Sequence, residues 1–294
     1  MNRKIALLIL VSCLILVTSA AALSLTYAFS QVDAPNSALT SAFGINVWGT
    51  IVGRYVEHGQ HGFVFSRGQF TTLDVPGADS TNARGINDRG DIVGHYGIST
   101  SPNSHAFLDR NGVFSTIDFP QDSVRNTATG INDAGDVVGT FSDTSGIYHG
   151  FLLRQGKYTT FDYPGAEGIG GFVFSPSYRG PGINNVGDIV GTYFGTDRVE
   201  HAFLLQHGQF TNIDFPGSLS SVALGINAWG VIAGSYTDSS EMRHGFILRQ
   251  GVYTTVDFPG ASPNISGISA TNSIVGDYSD CSGHVHGFQA VPRL

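Results

Sequence analysis

The step Gly-Ile-Asn, with Gly-Ile-Ser as its last variant, occurs six times, its glycine at Gly44, Gly85, Gly130, Gly182, Gly225 and Gly267, at spacings of 41, 45, 52, 43 and 42 residues. A unit of that length cannot bury its own apolar face, so the units must stack on one another. Four pieces recur in fixed order around each step. Piece a is an apolar run ending in Gly-Ile-Asn, and piece b resembles Asp-Ile-Val-Gly-x-Tyr. Piece c opens His-Gly-Phe or His-Ala-Phe, and piece d resembles Phe-Thr-Thr-x-Asp-Phe-Pro-Gly. The copy from Ala128 to Ala166 contains all four. The pieces are short, β-branched or aromatic, and bounded by Gly, Asn, Asp and Pro, which reads as strands joined by turns. An all-β chain with four antiparallel strands per period is therefore expected to be a β-propeller.

The copy number predicts how the array ends. Piece c occurs at His61, His105, His149, His201, His244 and His286, yet the chain stops at Leu294 before another piece d. The missing one lies at the other end, where Phe29-Ser-Gln-Val-Asp33-Ala-Pro35 has its pattern and precedes the first Gly-Ile-Asn. The expectation is a six-bladed β-propeller closed by the N-terminal strand completing the last blade. Such a clasp removes the open edges of a linear array.

Residues 1–22 read as a secretory signal peptide: Arg3 and Lys4, an apolar core from Ile5 to Val17, then Ser19-Ala20-Ala21-Ala22 with cleavage after Ala20 or Ala22. The core is short for a membrane span of about 20 residues. Residues 23–294 are then one secreted or cell-surface propeller domain, with no membrane attachment after signal removal, and a monomer is expected. Cleavage after Ala22 moves the formal charge from −8 to −10 and leaves Lys157 as the last lysine. That excludes nucleic acid as a partner, because phosphate neutralisation needs clustered Lys and Arg. Cys281 would be the one remaining cysteine, so no internal disulfide is expected.

Within each c to d hairpin a two-residue turn ending in glycine fixes the register. If Arg67-Gly68 is that turn, His61 faces Asp74. The same arithmetic sets His105 against Asp118, His149 against Asp162, His201 against Asp214, His244 against Asp257, and His286 against Asp33 across the clasp. Six equivalent pairs read as structural staples and not as catalytic acids and bases, because an active site requires a place where the symmetry breaks. The a to b turns Asn87-Asp88-Arg-Gly90-Asp91 and Asn132-Asp133-Ala-Gly135-Asp136 are carboxylate-rich, but calcium wants 6 to 8 oxygen ligands and Asn or Asp before Gly is ordinary turn chemistry. No metal and no cofactor is assigned. Trp48 and Trp229 sit in equivalent turns; an exposed indole can stack on a sugar or a protein, and packing on the neighbouring turn is the plainer reading.

These linked motifs, Gly-Ile-Asn-x-x-Gly-x-Ile-Val-Gly, then His105-Ala106-Phe107 or His201-Ala202-Phe203, then Thr-x-Asp-Phe-Pro-Gly, resemble the HAF repeat of predicted extracellular bacterial proteins. The resemblance covers essentially the whole mature chain. It implies a secreted or surface repeat protein and carries no catalytic residues to transfer.

The a to b and c to d turns are nearly constant in length, whereas the b to c and d to a loops vary, which points to their shared face as the binding surface. Its largest irregularity is the insertion from Glu167 to Pro181, read as a small extra hairpin carrying Tyr178 and Arg179. Arg84 and Arg198 are the other candidates for an acidic or sugar ligand. The functional expectation is a non-enzymatic module binding an extracellular glycan or protein. The alternative is a propeller hydrolase or lyase acting on carbohydrate at the central channel mouth.

Overall fold

The computed structural model describes residues 26–101, 103–121, 123–170 and 180–293, and is all-β. The leader and Tyr178 and Arg179 of the insertion lie outside the described residues. In unit one the pieces become strands a (Leu39–Ile45), b (Ile51–Val56), c (Gln60–Ser66) and d (Gln69–Leu73), paired antiparallel in that order. The same meander recurs along the chain. Hydrogen-bonded ladders run through a 16-stranded sheet formed by units six, one, two and three, with separate five- and four-stranded sheets in units four and five.

Each c to d hairpin turns on two residues with positive φ, as at Arg67-Gly68 (52° and 79°) and Asn111-Gly112 (54° and 82°). This is the primed turn whose twist suits a hairpin. At the last unit, strand c (Val285–Arg293) pairs antiparallel with Thr26–Gln31, Phe29 opposite Ala290 and Gln31 opposite Phe288. A single parallel bridge also joins Leu39 to Val285, matching Gln60 to Ser80 and Ser104 to Arg125 between consecutive units. The same parallel bridge from a strand c to a strand a thus recurs at these three places.

Glycines at two places let the units approach. The glycine of Ile-Val-Gly makes room for the phenylalanine of His-Gly-Phe: a Cβ on Gly53 would lie 2.6 Å from the Phe63 ring, and Phe63, Phe107, Phe151, Phe203, Phe246 and Phe288 are all fully buried. The glycines of Gly-Ile-Asn meet one another. A Cβ on Gly44 would lie 3.2 Å from Gly85 Cα, one on Gly85 3.2 Å from Gly130 Cα, and one on Gly130 3.2 Å from Gly182 Cα. The cycle continues through Gly182 to Gly225 (3.6 Å) and Gly225 to Gly267 (3.2 Å), and Gly267 returns to Gly44 at 3.4 Å.

In four copies the asparagine of the Gly-Ile-Asn step serves two units. Asn46 Oδ1 accepts the backbone N–H of Trp48 (3.1 Å) and Thr50 (3.0 Å), closing its own a to b turn. Its Nδ2 donates to the carbonyl of Asn87 (3.2 Å), Asn87 to that of Asn132 (3.1 Å), and Asn132 to that of Asn184 (3.1 Å). Asn227 donates likewise to Ser269 (3.1 Å), the variant residue of the last copy. Elsewhere the aromatic of piece d stacks on the piece b aromatic of the next unit: Phe119 on Phe141 (4.0 Å), Tyr163 on Tyr193 (3.8 Å), Phe215 on Tyr236 (3.7 Å).

The insertion departs from expectation in its position. It is not a lengthened d to a loop but an interruption of strand a itself. Gly168–Ile169 and Gly182–Ile183 pair with opposite ends of the same strand, Ile189–Phe194, and Ile169 is fully buried. Five other copies carry a register shift just before the Gly-Ile glycine, between Ala42 and Gly44, for example. Extra chain enters the fourth at that same weak point of the ladder, where pairing is already disrupted.

The glycine cycle predicts where the fold is brittle. Gly182→Ala and Gly267→Ala would drive a methyl to 2.4 Å from the Leu224 carbonyl and 2.5 Å from the Phe43 carbonyl. Each is expected to cost about 1–3 kcal/mol, the usual range for overpacking. Gly59→Ala, whose methyl would meet only the end of the His61 side chain at 3.3 Å, is the control and should stay within about 0.5 kcal/mol of wild type in urea unfolding.

Candidate functional site

Three constellations stand out on this scaffold. The first is the His–Asp set. His61 Nδ1 lies 2.8 Å from Asp74, His105 2.6 Å from Asp118, His149 3.0 Å from Asp162, His201 2.6 Å from Asp214, His244 2.8 Å from Asp257, and His286 2.6 Å from Asp33. Each imidazole also packs on the piece b aromatic of its own unit, Tyr55 on His61 at 5.3 Å and Tyr236 on His244 at 5.1 Å.

In four units a second carboxylate from the b to c loop faces Nε2 of the same ring: Asp143 on His149 (3.7 Å), Asp197 on His201 (3.0 Å), Asp238 on His244 (3.3 Å) and Asp280 on His286 (3.4 Å). The hydrogen bond that His286 donates to Asp33, working against burial and aided by Asp280, raises the His286 pKa. For His201 and His244 burial pulls the pKa down, but their paired aspartates outweigh it and the net shift is upward. Asp280 is held low, first by the Ser282 hydroxyl, with contributions from backbone N–H groups and His286.

The second constellation breaks the repeat. The residue after Ile-Val-Gly on strand b is in turn Arg54, His95, Thr140, Thr192, Ser235 and Asp277, and the residue before Gly-Ile on strand a is Phe43, Arg84, Thr129, Pro181, Leu224 and Ser266. The charged members fall in units six, one and two. Asp277 accepts from Asn264 Nδ2 at 2.8 Å and is also hydrogen-bonded by Ser41 of the next unit. Burial raises its pKa against those bonds and against the charges of Arg54 and Arg243. Arg54 donates to Gln60 Oε1 at 2.9 Å. Arg84, on the bulge of Ser80–Ile86, lies with its guanidinium carbon 4.1 Å from the centre of the Phe43 ring, a cation–π contact.

His95 is buried, and burial, reinforced by Arg84 and Arg54, pushes its pKa well below the ordinary value, so its imidazole is neutral at neutral pH. Opposite it, Asn82 is 1% exposed, and its Oδ1 has no hydrogen-bond partner among the described residues. Asn264 Oδ1 is in the same condition. Of the sequence candidates, Arg84 belongs to this cluster. Arg198 does not: it occupies a positive-φ position (65°) in the turn from Gly195 to Val199 of unit four. Sequence reasoning missed Arg54, His95 and Asp277. The available signal was that they fill one variable position in an otherwise repeated strand.

The third constellation lies on the face of the a to b and c to d turns, opposite the loop face expected to bind. Trp48 is 77% exposed, and its Nε1 donates to the Asp88 carbonyl of the next unit at 2.9 Å. Trp229, equally exposed, donates to the Ala270 carbonyl at 3.2 Å. The expectation of packing on the neighbouring turn holds for the N–H edge, whereas the ring faces remain open. Beside Trp48 runs a cleft of about 630 Å³ lined by Ser66, Arg67, Gln69, Thr71 and Arg89. A similar cleft of about 610 Å³ lies between units three and four, lined by Arg154, Asp162, Asp188 and His207. A small cavity of about 100 Å³ on the same face is lined by the isoleucine of all six Gly-Ile steps, with Asp88, Asp133 and the step asparagines from Asn87 onward.

Solved structures similar to this chain include propeller-like lectins. SapL1 lectin in complex with alpha methyl fucoside matches at a TM-score of 0.57 and 11% identity, over 87% of this chain and 95% of that one. The lectin of Aleuria aurantia, as a point mutant, matches at 0.52 and 12% identity with Fucalpha1-6GlcNAc bound, over 87% of this chain and 95% of that one. With alpha-methyl-L-fucoside bound it matches at 0.51 and 12% identity, over 92% and 95%. At that identity the likeness defines the class of fold, an all-β propeller-like protein. No family model and no curated protein matches the chain.

His286 and Asp280 have a defined pH signature. The raised His286 pKa contributes stability that is complete below the unfolded value of about 6.5 and is lost as pH rises through the higher folded value. The lowered Asp280 pKa contributes stability present above about 3.9 and lost as pH falls through the lower folded value. Thermal unfolding should therefore show its highest Tm between about pH 4 and 6.5. His286→Asn should flatten the decline that sets in above about pH 6.5, measured against the wild type.

Proposed function

We propose that the chain is a secreted repeat protein of the HAF type, folded as a six-bladed propeller closed by its N-terminal strand, and that it binds an extracellular glycan through its turn face. The ring reading is supported by the cycle of contacts from Gly44 through Gly267 back to Gly44, by the cavity that draws one isoleucine from each unit, and by the pairing of Thr26–Gln31 with the last strand. On that reading the six His–Asp pairs are staples. Each ties the start of strand c to the end of strand d, which across the clasp means His286 to Asp33. The signal-like pattern of residues 1–22 supports secretion.

The observation that carries the glycan reading is the pair of tryptophans. An indole whose N–H is anchored on a neighbouring carbonyl holds its ring at a fixed angle with the face exposed, and Trp48 stands beside a cleft of hydroxyl, amide and guanidinium groups. An apolar plane flanked by hydrogen-bonding groups matches a pyranose, which has C–H faces and hydroxyl edges. The lectins named above carry fucosides on the same class of fold. The carbohydrate lyase or hydrolase alternative draws on the neutral His95 beside Arg84, and release of new reducing ends from the bound polysaccharide would favour it.

A glycan array probed with residues 23–294 is the direct test. Trp48→Ala and Trp229→Ala should each weaken the strongest signal at least about tenfold, equivalent to about 1.4 kcal/mol, with Tm unchanged. Binding that survives the double substitution would refute the tryptophan assignment. For the ring, removal of residues 23–31 should lower Tm by several degrees and open the last unit to protease. A truncated protein as resistant as the intact one would rule out the clasp.

A further inference from the structure

Two turn positions vary from unit to unit, and at the Trp48 cleft both of them bring a guanidinium. Arginine fills the a to b turn position of Trp48 in one copy, at Arg89. It fills the c to d turn position of Arg67 there alone, where units two to five carry Asn111, Gln155, His207 and Gln250. Arg67, Arg89 and Trp48 line one cleft of about 630 Å³. The cleft of about 610 Å³ between units three and four has Val186 in the place of Trp48 and His207 in that of Arg67. The two guanidiniums are in different conditions. Arg89 donates to Asp91 from Nη2 at 2.8 Å and from Nε at 3.3 Å, and Asp88, the carboxylate on the lining, accepts the Val47 N–H at 2.8 Å. Arg67 is exposed at a positive φ of 52°, and its guanidinium has no hydrogen bond or ion pair with any described residue. Alone that would be an ordinary solvated arginine; here it shares a concavity with an indole fixed by its N–H. Gln69 and Thr71, two residues apart on strand d, project to the same side and add an amide and a hydroxyl.

We propose that this cleft takes a glycan unit bearing an acidic group, its C–H face on Trp48, its acid oxygens on Arg67 and its hydroxyls on Gln69 and Thr71. This rests on the glycan reading of the turn face and adds that the ligand at Trp48 is anionic. The guanidinium fork pairs its N–H donors with the oxygens of a carboxylate or a sulfate ester, while the indole accepts the sugar ring. An amide and a hydroxyl each donate and accept, so they suit sugar hydroxyls in either direction. Around Trp229 the residues matching Arg67 and Arg89 are Gln250 and Thr271, which carry no charge. Recognition of the acid therefore belongs to the Trp48 cleft, and the second tryptophan has no group for it.

Calorimetric titration of residues 23–294 carrying Trp229→Ala, which leaves Trp48 as the remaining tryptophan, tests it. The probes form two matched pairs, galacturonate against its methyl ester and galactose 6-sulfate against galactose, with inorganic sulfate as the bare anion. In at least one pair the acid should bind about three- to tenfold tighter than its neutral partner, between the worth of an exposed ion pair and that of a charged hydrogen bond. The pair with the larger difference identifies the acid as a uronate or a sulfate ester. Arg67→Gln installs the residue that units three and five already hold at this positive-φ position, so it should leave Tm unchanged and remove the difference. Trp48→Ala should weaken acid and neutral sugars alike. Equal binding within both pairs, lost in Trp48→Ala, would overturn the acid assignment and leave the glycan reading standing. An Arg67→Gln protein that keeps the difference, or inorganic sulfate binding as tightly as the acid sugars, would overturn it too. Failure of all four sugars to bind would remove the glycan reading and this inference together.

Discussion

Everything in this molecule depends on backbones meeting at the Gly-Ile-Asn step. No side chain fits there: each glycine's missing Cβ is the space taken by the next unit, and six such contacts form a complete cycle. The approach brings the asparagine amides within reach of the neighbouring carbonyls, so one residue closes its own turn and joins the next unit. Apolar packing holds the rest of each unit. There the piece c phenylalanine fills the space left by the piece b glycine, and the stacked aromatics join unit to unit.

The periphery is bound by a different interaction. Each imidazole lies against an aromatic ring and against one aspartate, with a second aspartate added in four units. Since the partners come from strand d and from the b to c loop, the histidine links three segments that backbone ladders alone would join only in sequence. In the last unit one of those segments is the N-terminal one, through Asp33, whose Oδ1 also accepts the Gly287 N–H at 3.0 Å.

Much of this was legible because turns and pleats obey simple counting. A two-residue turn at Arg67-Gly68 fixes every facing pair of the hairpin, so His61 and Asp74 could be placed opposite one another from their numbers alone. Arg54, His95 and Asp277 were not legible in the same way. They fill a position that varies from copy to copy, and only the packing of neighbouring units sets His95 beside Arg54 and Arg84 and sets Asp277 beside Arg54 and Arg243. The insertion was misplaced for a related reason: its composition marks a break but carries no information on which strand is broken. Trp48 was read by its turn, and the structure adds that the anchored edge leaves the ring face open.

The sequence by itself determined the strand-forming pieces, their order and the hairpin register, because these follow from local turn chemistry repeated in every unit. Tertiary structure alone decided which charges are buried together, which face carries the clefts, and where the extra residues of the fourth unit interrupt the ladder. Those depend on distances between residues of different units, and a repeat pattern specifies that units touch without specifying what the few non-repeating side chains meet when they do.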